Sequence, residues 1–421
     1  MTNKPSLYIP TLYFIEGLPY AIVCSVSIIV FQNLDYSKDF MAQVTSLLAL
    51  PWTLKFAWAP LVDMLGLKRQ WILVSHVVLA VCAVLLALSL QLEGGINFII
   101  LAFALMAFTS ATQDVAMDGY YLEVLDKEQQ SVFVGVRNAA YRIAMLFGQG
   151  FLVYLAGTLS HQYGIRAGWG AAFALAAVIF ALAFALHAWL LPKPTDTASK
   201  TLSKVDGSEF LTVFGSFFKR PGIFVIVFYM LFFRLGDALM LKMAQPFLLD
   251  KAGSGGLQIA TETVGLIYGG VGVGFLLLGG IVGGYVVSKL GLKRTLMPTA
   301  LIQNSAILLY YILSILKPGV VLVAVFNAFE QFAYGLGLTA YTVFLLSLAS
   351  PRYRSGHYAI ATAIMALGLL LPGYVSGKLC TMLGYQNFFL LSFLLSIPGM
   401  IAILFLPLGS SSQEAAKDKQ D

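Results

Sequence analysis

Ten of the ionisable side chains inside the long apolar runs of this 421-residue sequence have types and positions that could do chemistry. An ionised group at bilayer depth costs at least about 2.5–3.5 kcal/mol, so such groups usually pair with one another or line a water-filled cavity. Carboxyl groups can bind protons there, and bases can bind an anion. The acids are Glu16, Asp114, Asp118, Asp237 and Glu330, and the bases are Lys55, Arg137, Arg142, Arg234 and Lys242. Five acids and five bases are the balance that internal pairing requires.

Asp114 and Asp118 stand four residues apart in one run. On a helix this spacing puts both carboxylates on one face, where they repel unless a base intervenes or one of them is protonated. Arg137 and Arg142 lie at comparable depths in the next run, so we expect the four residues to form one cluster. The cluster could be a fixed ion-pair clasp between two helices, or a gate or proton-linked switch.

Glu16 and Glu330 each lie near the middle of an apolar run. This position makes both residues candidates for binding a transported proton or for contacting a substrate. Glu16 also precedes Gly17 and Pro19, which loosen a helix and free backbone groups. The alternative for Glu16 is a neutral, hydrogen-bonded carboxyl group.

Bases in two other runs could bind an anion. Arg234 could hold a carboxylate with two hydrogen bonds, or it could pair with Asp237, three residues further on. Lys55, flanked by Trp52 and Trp58, is a second candidate anion contact. Its alternative is to extend its amine towards the membrane surface.

The composition places these groups in a membrane. Apolar residues make up 59% of the chain and charged residues 11%, against roughly 45–50% and about 25% in a globular domain. A soluble enzyme is therefore excluded. The net charge of +6 would suit a nucleic-acid partner, but the charges lie mostly in short loops between apolar runs, so no nucleic-acid partner is expected.

A bilayer core needs about 20 residues of helix. Twelve such runs occupy residues 7–31, 40–61, 71–90, 96–120, 131–155, 169–191, 222–249, 263–289, 296–316, 320–348, 357–382 and 388–406.

The twelve runs predict an all-α, polytopic membrane protein with two six-helix bundles. Lys and Arg concentrate in the loops on the side of the termini, which predicts that both termini are cytoplasmic. We expect an N-terminal bundle at 1–191, a cytoplasmic linker with an amphipathic helix at 192–220, a C-terminal bundle at 221–408 and a disordered tail at 409–421. The pentapeptide LGLKR occurs at 65–69 and again at 290–294, six runs later, as two parallel halves would place it.

The eighth run is rich in glycine, and GVGVG at 270–274 partly imitates a phosphate-binding loop. Such loops need a strand before them and a helix after them, so close helix packing through small residues is the better interpretation. The four histidines are scattered without metal-ligand spacing. We therefore predict no cofactor and no metal.

Residues 63–69, DMLGLKR, resemble the loop motif of the major facilitator superfamily. EGLPY at 16–20, LPWTLKFAWAPLVD at 50–63 and ATQDVAMDG at 111–119 resemble the branch that holds the AmpG-type muropeptide permeases and the acetyl-coenzyme A transporters. The match is good over the first four or five runs and weak beyond them. The resemblance implies a central cavity lined by the first, fourth, seventh and tenth spans, and a gate formed by loop charges and helix termini. The implied gating residues are Asp63, Gly66, Lys68, Arg69, Gly291, Lys293 and Arg294.

The same resemblance implies a proton-coupled secondary active transporter that works by alternating access. It would be a symporter of the bacterial inner membrane, importing a cell-wall-derived amino sugar or muropeptide for peptidoglycan recycling. Its partners would be an anionic small molecule, protons and the bilayer, and the chain would be a monomer. Tyrosines in the cavity spans could stack on a sugar ring; they are Tyr13, Tyr20, Tyr120 and Tyr334.

Two alternatives stay open. The cargo could be acetyl-coenzyme A, or another anionic or sugar solute of the same branch. A membrane-embedded sensor or enzyme is disfavoured, because the sequence contains no Walker, GxSxG or HExxH motif.

Overall fold

A computed structural model describes residues 4–64, 67–192, 207–348 and 354–408. Within those ranges the chain is built from helices and has no β-strand. The expected all-α architecture is confirmed. The expected tail at 409–421 and most of the linker before residue 207 lie outside the described residues.

The chain consists of two compact units. Unit 1 comprises Met1–Leu202 together with Gln258–Gly270. Its helices are α1 (Pro5–Asn33), α2 (Lys38–Leu48), α3 (Leu50–Leu54), α4 (Ala59–Met64), α5 (Lys68–Ser89), α6 (Ile96–Val124), α7 (Glu128–Tyr163) and α8 (Ile165–Leu190).

Unit 2 comprises Ser203–Leu257 and Val271–Asp421. One helix, α11 (Thr261–Leu290), begins in unit 1 and continues in unit 2. The remaining helices are α9 (Gly207–Phe218), α10 (Ile223–Leu249), α11 (Thr261–Leu290), α12 (Leu292–Leu316), α13 (Val320–Ser347) and α14 (Arg354–Ala402).

Ten helices of the described chain are long and apolar enough to cross a membrane. Nine of the twelve predicted runs each coincide with one of them. The second run differs, because it is broken into α2, α3 and α4 with a 3-10 turn at Lys55–Ala57. The last two runs lie together in one long apolar stretch, Ile360–Phe405. Two helical segments meet there at Gly384, whose φ of 71° and ψ of 163° are not helical.

Local sequence signals mark several helix ends. Asp126 precedes α7, and its carboxylate accepts a hydrogen bond from the Gln129 backbone N–H at 2.8 Å while the Gln129 side chain accepts from the Asp126 N–H. This reciprocal cap satisfies two backbone donors that a helix start leaves unpaired. Gly291 separates α11 from α12 with a φ of 79°, a value that costs glycine no steric strain.

Glycines bring α11 and α13 into backbone contact inside unit 2. A Cβ added at Gly279 would lie 2.0 Å from the Phe332 carbonyl oxygen, and one at Gly335 would lie 2.2 Å from the Leu276 carbonyl oxygen. The predicted close packing of the glycine-rich run is therefore confirmed, because larger residues at these positions would push the two helices apart.

The long apolar helices also break where charged residues occur. Lys55 opens the 3-10 turn between α3 and α4, and Arg234 lies where α10 changes from Ile223–Phe232 to Leu235–Leu249. Near the second break, Gly236 and Gly399 leave room for close approach of α10 and α14: an added Cβ would lie 2.4 Å from the Ser392 carbonyl oxygen and the Phe233 nitrogen, respectively. The breaks therefore help to position the side chains of Lys55 and Arg234.

Candidate functional site

Five charged side chains of unit 1 form what we call the acid cluster. It consists of Glu16 on α1, Lys55 at the α3–α4 break, Asp114 and Asp118 on α6, and Arg137 on α7. Carboxylate oxygens of the three acids all lie within 4.8 Å of one another. Helix α1 packs along both α6 and α7, so three elements far apart in sequence deliver their charges to one place.

Two ion pairs organise the acid cluster. The Arg137 Nη2 lies 2.7 Å from the Asp118 Oδ1, as expected from the depths of the two residues. The Tyr13 hydroxyl donates to the same Asp118 oxygen at 3.3 Å, and the Arg137 guanidinium stacks over the Tyr13 ring at 4.5 Å. The Lys55 Nζ pairs with the Asp114 Oδ2.

The expected role of Arg142 in this cluster is wrong. No ion pair joins Arg142 to either aspartate in the described chain, and Lys55 takes the place beside Asp114. Arg142 follows Arg137 by five residues, so it points about 140° away around the helix. The anion contact predicted for Lys55 is thus occupied by a carboxylate of the protein itself.

Glu16 is the acid without a base. It is 7% exposed, and its Oε2 has no hydrogen-bond partner among the described residues. Lys55 and Arg137 are engaged by Asp114 and Asp118, which leaves three carboxyl groups against two bases. The expected equal pairing of acids and bases is therefore not met in this cluster.

The two ion pairs of unit 1 are partly exposed. The side chains of Lys55, Arg137 and Asp118 are 35%, 28% and 40% exposed. Charged groups at bilayer depth face water rather than lipid. A solute in that water could therefore contact both bases without a rearrangement of the helices.

An aromatic group, which we define as Tyr20, Trp52 and Tyr141, adjoins the acid cluster. The Tyr20 ring centroid lies 5.0 Å from that of Trp52 and 6.2 Å from that of Tyr141, and all three side chains are half-buried. A Cβ added at Gly17 would lie 3.2 Å from the Tyr141 ring, which places Tyr141 against the residue that follows Glu16. Sequence reasoning named Tyr20 but missed Tyr141, because nothing in the local sequence distinguishes it from other aromatic residues.

Unit 2 contains a second group, the arginine cluster, made of Arg234, Asp237, Gln303 and Tyr334. Arg234 donates to the Asp237 Oδ2 at 3.2 Å and to the Tyr334 hydroxyl at 2.8 Å, and the Gln303 amide also donates to Asp237. Arg234 and Asp237 are each 1% exposed. Of the two interpretations of Arg234, the structure shows the pair with Asp237, and its enclosed guanidinium could bind a cargo carboxylate only after a rearrangement.

Glu330 lies on α13, four residues before Tyr334 of the arginine cluster and on the same face of that helix. It is 2% exposed and accepts a hydrogen bond from the neighbouring Gln331 amide at 2.8 Å. Lys242, the other base of α10, is half-buried.

The first copy of the repeated pentapeptide contacts a helix terminus. Lys68 is buried and donates to the Val62 carbonyl oxygen at 3.1 Å. Arg69 donates to the carbonyl oxygens of Leu191 at 3.1 Å and Ala188 at 2.5 Å. These carbonyls belong to the C-terminal end of α8, where unpaired backbone oxygens favour a cation. The side chain of Asp63, together with Gly66, lies outside the described residues.

The second copy is arranged differently. Gly291 forms the turn between α11 and α12, and Lys293 and Arg294 are exposed. The two copies are identical in sequence, but Lys68 is buried whereas the corresponding Lys293 is exposed.

Sequence reasoning also missed a chain of hydrogen bonds in unit 1. His76 on α5 and His187 on α8 are fully buried, and their Nε2 and Nδ1 atoms lie 2.7 Å apart. The His187 Nε2 lies 3.0 Å from the Thr11 Oγ1 on α1. The two histidines are 111 residues apart in sequence, so no spacing rule could have paired them.

Apolar helices of membrane-spanning length and buried charge clusters define a multi-pass membrane protein. Its solved structural neighbours are transporters. The nucleoside transporter NupG aligns with a TM-score of 0.72 at 18% identity, over 96% of this chain and 98% of that chain. A bacterial homologue of the human lysosomal transporter Spinster aligns with a TM-score of 0.74 at 13% identity, over 97% of each chain.

The chain matches the Major Facilitator Superfamily over residues 11–245 and 237–421, and it belongs to that family. Its fold is that of a membrane transporter for small molecules. Two relatives extend over most of the chain. The anhydromuropeptide permease of Escherichia coli (strain K12) is 26% identical over 93% of this chain and 77% of its own length. The putative transporter AmpG 4 of Rickettsia conorii is 26% identical over 93% of this chain and 94% of its own length.

Proposed function

We propose that this transporter is a proton-coupled symporter that imports an acidic muropeptide, or the amino sugar derived from it, by alternating access. The observation that carries the coupling is the acid cluster, in which three carboxyl groups share two bases. The names of the two relatives support the cargo. Acetyl-coenzyme A, or another anionic or sugar solute, is the second candidate.

Charge balance in the acid cluster links the proton to the cargo. An anionic cargo that approaches Lys55 and Arg137 competes with Asp114 and Asp118 for the same bases. A proton bound within the cluster removes one negative charge and weakens that competition. Proton binding therefore favours cargo binding and, by thermodynamic reciprocity, cargo binding favours proton binding.

The aromatic group supplies a surface for the sugar. The half-buried ring of Tyr20 contacts those of Trp52 and Tyr141, and Tyr141 lies against Gly17, the neighbour of Glu16. Rings of this kind combine a large apolar face with a polar edge. The cargo carboxylate would then contact Lys55 or Arg137 while the sugar ring lies on the aromatic group. Tyr13 and Tyr120 are fully buried, and the Tyr334 hydroxyl is bonded to Arg234, so these three are excluded from the proposed contact surface.

The expected membrane arrangement completes the proposal. The chain would be a monomer in the bacterial inner membrane with both termini in the cytoplasm, as the distribution of Lys and Arg between loops favours. The bundles at 1–191 and 221–408 would move against each other, with charges of the pentapeptide loops forming the gate. Helix α9 would lie along the cytoplasmic membrane face, where its exposed Phe214 and Phe218 could enter the lipid interface.

Uptake into proteoliposomes tests the proposal. We expect purified protein to accumulate labelled anhydromuropeptide against its gradient when the outside is made acidic, and a protonophore should abolish the accumulation. Matched assays with a free amino sugar and with acetyl-coenzyme A establish the cargo class. Accumulation of acetyl-coenzyme A alone would favour the second candidate, and equilibration that ignores the pH gradient would contradict proton coupling.

We expect Trp52→Ala to raise the KM for anhydromuropeptide roughly three- to tenfold, because an aromatic contact contributes about 0.5–1.5 kcal/mol. Initial rates of uptake over a range of cargo concentrations provide the measurement. Trp52→Phe retains a ring and should change the KM less. Trp189→Ala, which removes an exposed aromatic residue elsewhere in unit 1, should leave it unchanged. An unaltered KM in Trp52→Ala would remove the aromatic group from the cargo site.

A further inference from the structure

Unit 2 contains a buried carboxyl group that forms no ion pair with any base of the described residues. Glu330 is 2% exposed, and the hydrogen bond that it accepts comes from the neutral amide of Gln331. Among the described residues, no ion pair joins Glu330 to a base. A negative charge on Glu330 would therefore lie in an enclosed interior without a base paired to it.

The nearby base of α10 is already used. Arg234 donates to Asp237 and to Tyr334, and Gln303 donates to Asp237 as well. Asp237 and Arg234 together carry no net charge when both are ionised. The arginine cluster and Glu330 thus contain two acids and one base, an excess of one acid.

The same excess occurs in unit 1, where the acid cluster has three acids and two bases. An unpaired charge at bilayer depth is costly, so each of these two groups of residues reaches electrical balance by holding one proton. To couple that proton to transport, each group must also lose it when its carboxyl group becomes hydrated. The two sets of residues share no member, so the two protonation events involve different side chains.

We propose that Glu330 is a second proton-binding site, and that each transport cycle moves two protons with one cargo molecule, one held in each unit. This inference rests on the proposed function, because it assigns the number of protons that the symporter couples to its cargo. Glu16 supplies the unpaired carboxyl group of unit 1, and Glu330 supplies that of unit 2.

The limiting accumulation ratio in proteoliposomes tests this number. With the membrane potential clamped to zero and a gradient of one pH unit, each coupled proton multiplies the ratio about tenfold. We expect wild-type protein to concentrate labelled anhydromuropeptide about 100-fold under these conditions, and Glu330→Gln to concentrate it about tenfold. Glu93→Gln, which changes an exposed acid, should match the wild type.

The outcomes separate this inference from the function on which it rests. A wild-type ratio near tenfold, or a Glu330→Gln ratio equal to that of the wild type, would overturn the second site while leaving proton-coupled transport intact. Absence of any acid-driven accumulation by the wild type would instead contradict the proposed function. If Glu330→Gln folds poorly, Glu330→Ala allows the same comparison, and the wild-type ratio alone distinguishes one proton from two.

Discussion

Replacing Glu16 with glutamine is expected to lower the acid-driven accumulation of cargo about tenfold per pH unit while leaving exchange of cargo across the membrane intact. Glutamine has nearly the same shape as glutamate but cannot bind and release a proton at this position. The substitution also leaves two acids against two bases in the acid cluster, so the cluster is balanced without a proton. The transporter then couples its cargo only to the proton that Glu330 binds.

Two assays on the same proteoliposomes distinguish this loss from general damage. Accumulation under an inward gradient of one pH unit should fall from about 100-fold to about tenfold. Counterflow, in which unlabelled internal cargo drives entry of labelled cargo, should continue. Glu128→Gln changes an exposed acid at the start of α7 and serves as the matched control. Accumulation by Glu16→Gln at the wild-type level would exclude Glu16 from coupling.

The largest loss of stability is expected from Asp237→Ala. This change removes the carboxylate that pairs with a fully buried guanidinium, and an uncompensated buried charge typically costs about 3–5 kcal/mol. We expect a large fall in the thermal unfolding midpoint of the detergent-purified protein and a lower yield of folded material. The Gln303 amide loses its acceptor at the same time, which adds to the effect.

A double substitution tests the cause of this instability. Removing both charges, as in Arg234→Leu with Asp237→Ala, should recover much of the lost stability, because neither buried charge then lacks its partner. Lys251→Ala removes an exposed charge of unit 2 and should not change the midpoint. If the double variant unfolds at a lower temperature than Asp237→Ala, the charge explanation is wrong.

Hydrophobic length and helical depth determined what the sequence could predict. Runs of apolar residues located the helices, since a bilayer core requires a minimum span. The contact between Asp118 and Arg137 was predictable, because consecutive helices separated by a short loop return to the same depth. The alternative pairing of Arg234 with Asp237 followed from their spacing of three residues on one helix.

Contacts between distant segments could not be predicted. Lys55 reaches Asp114 from a broken helix, and the hydropathy of the second run gives no sign of that break. Gln303 contacts Asp237 across 66 positions of sequence, so their contact depends on how α10 packs against α12. The excess of one acid in each group of contacting residues was hidden for the same reason, because the ten side chains named from the sequence comprise five acids and five bases.

The acid cluster and the arginine cluster differ in exposure, so their ion pairs should respond differently to dissolved salt. Counterions in solution screen exposed charges over about 10 Å at 0.1 M salt, but they screen enclosed pairs much less. The pair of Arg137 with Asp118 is partly exposed, whereas that of Arg234 with Asp237 is enclosed. Raising the ionic strength should therefore weaken electrostatic attraction in unit 1 while leaving the arginine cluster of unit 2 almost unaffected.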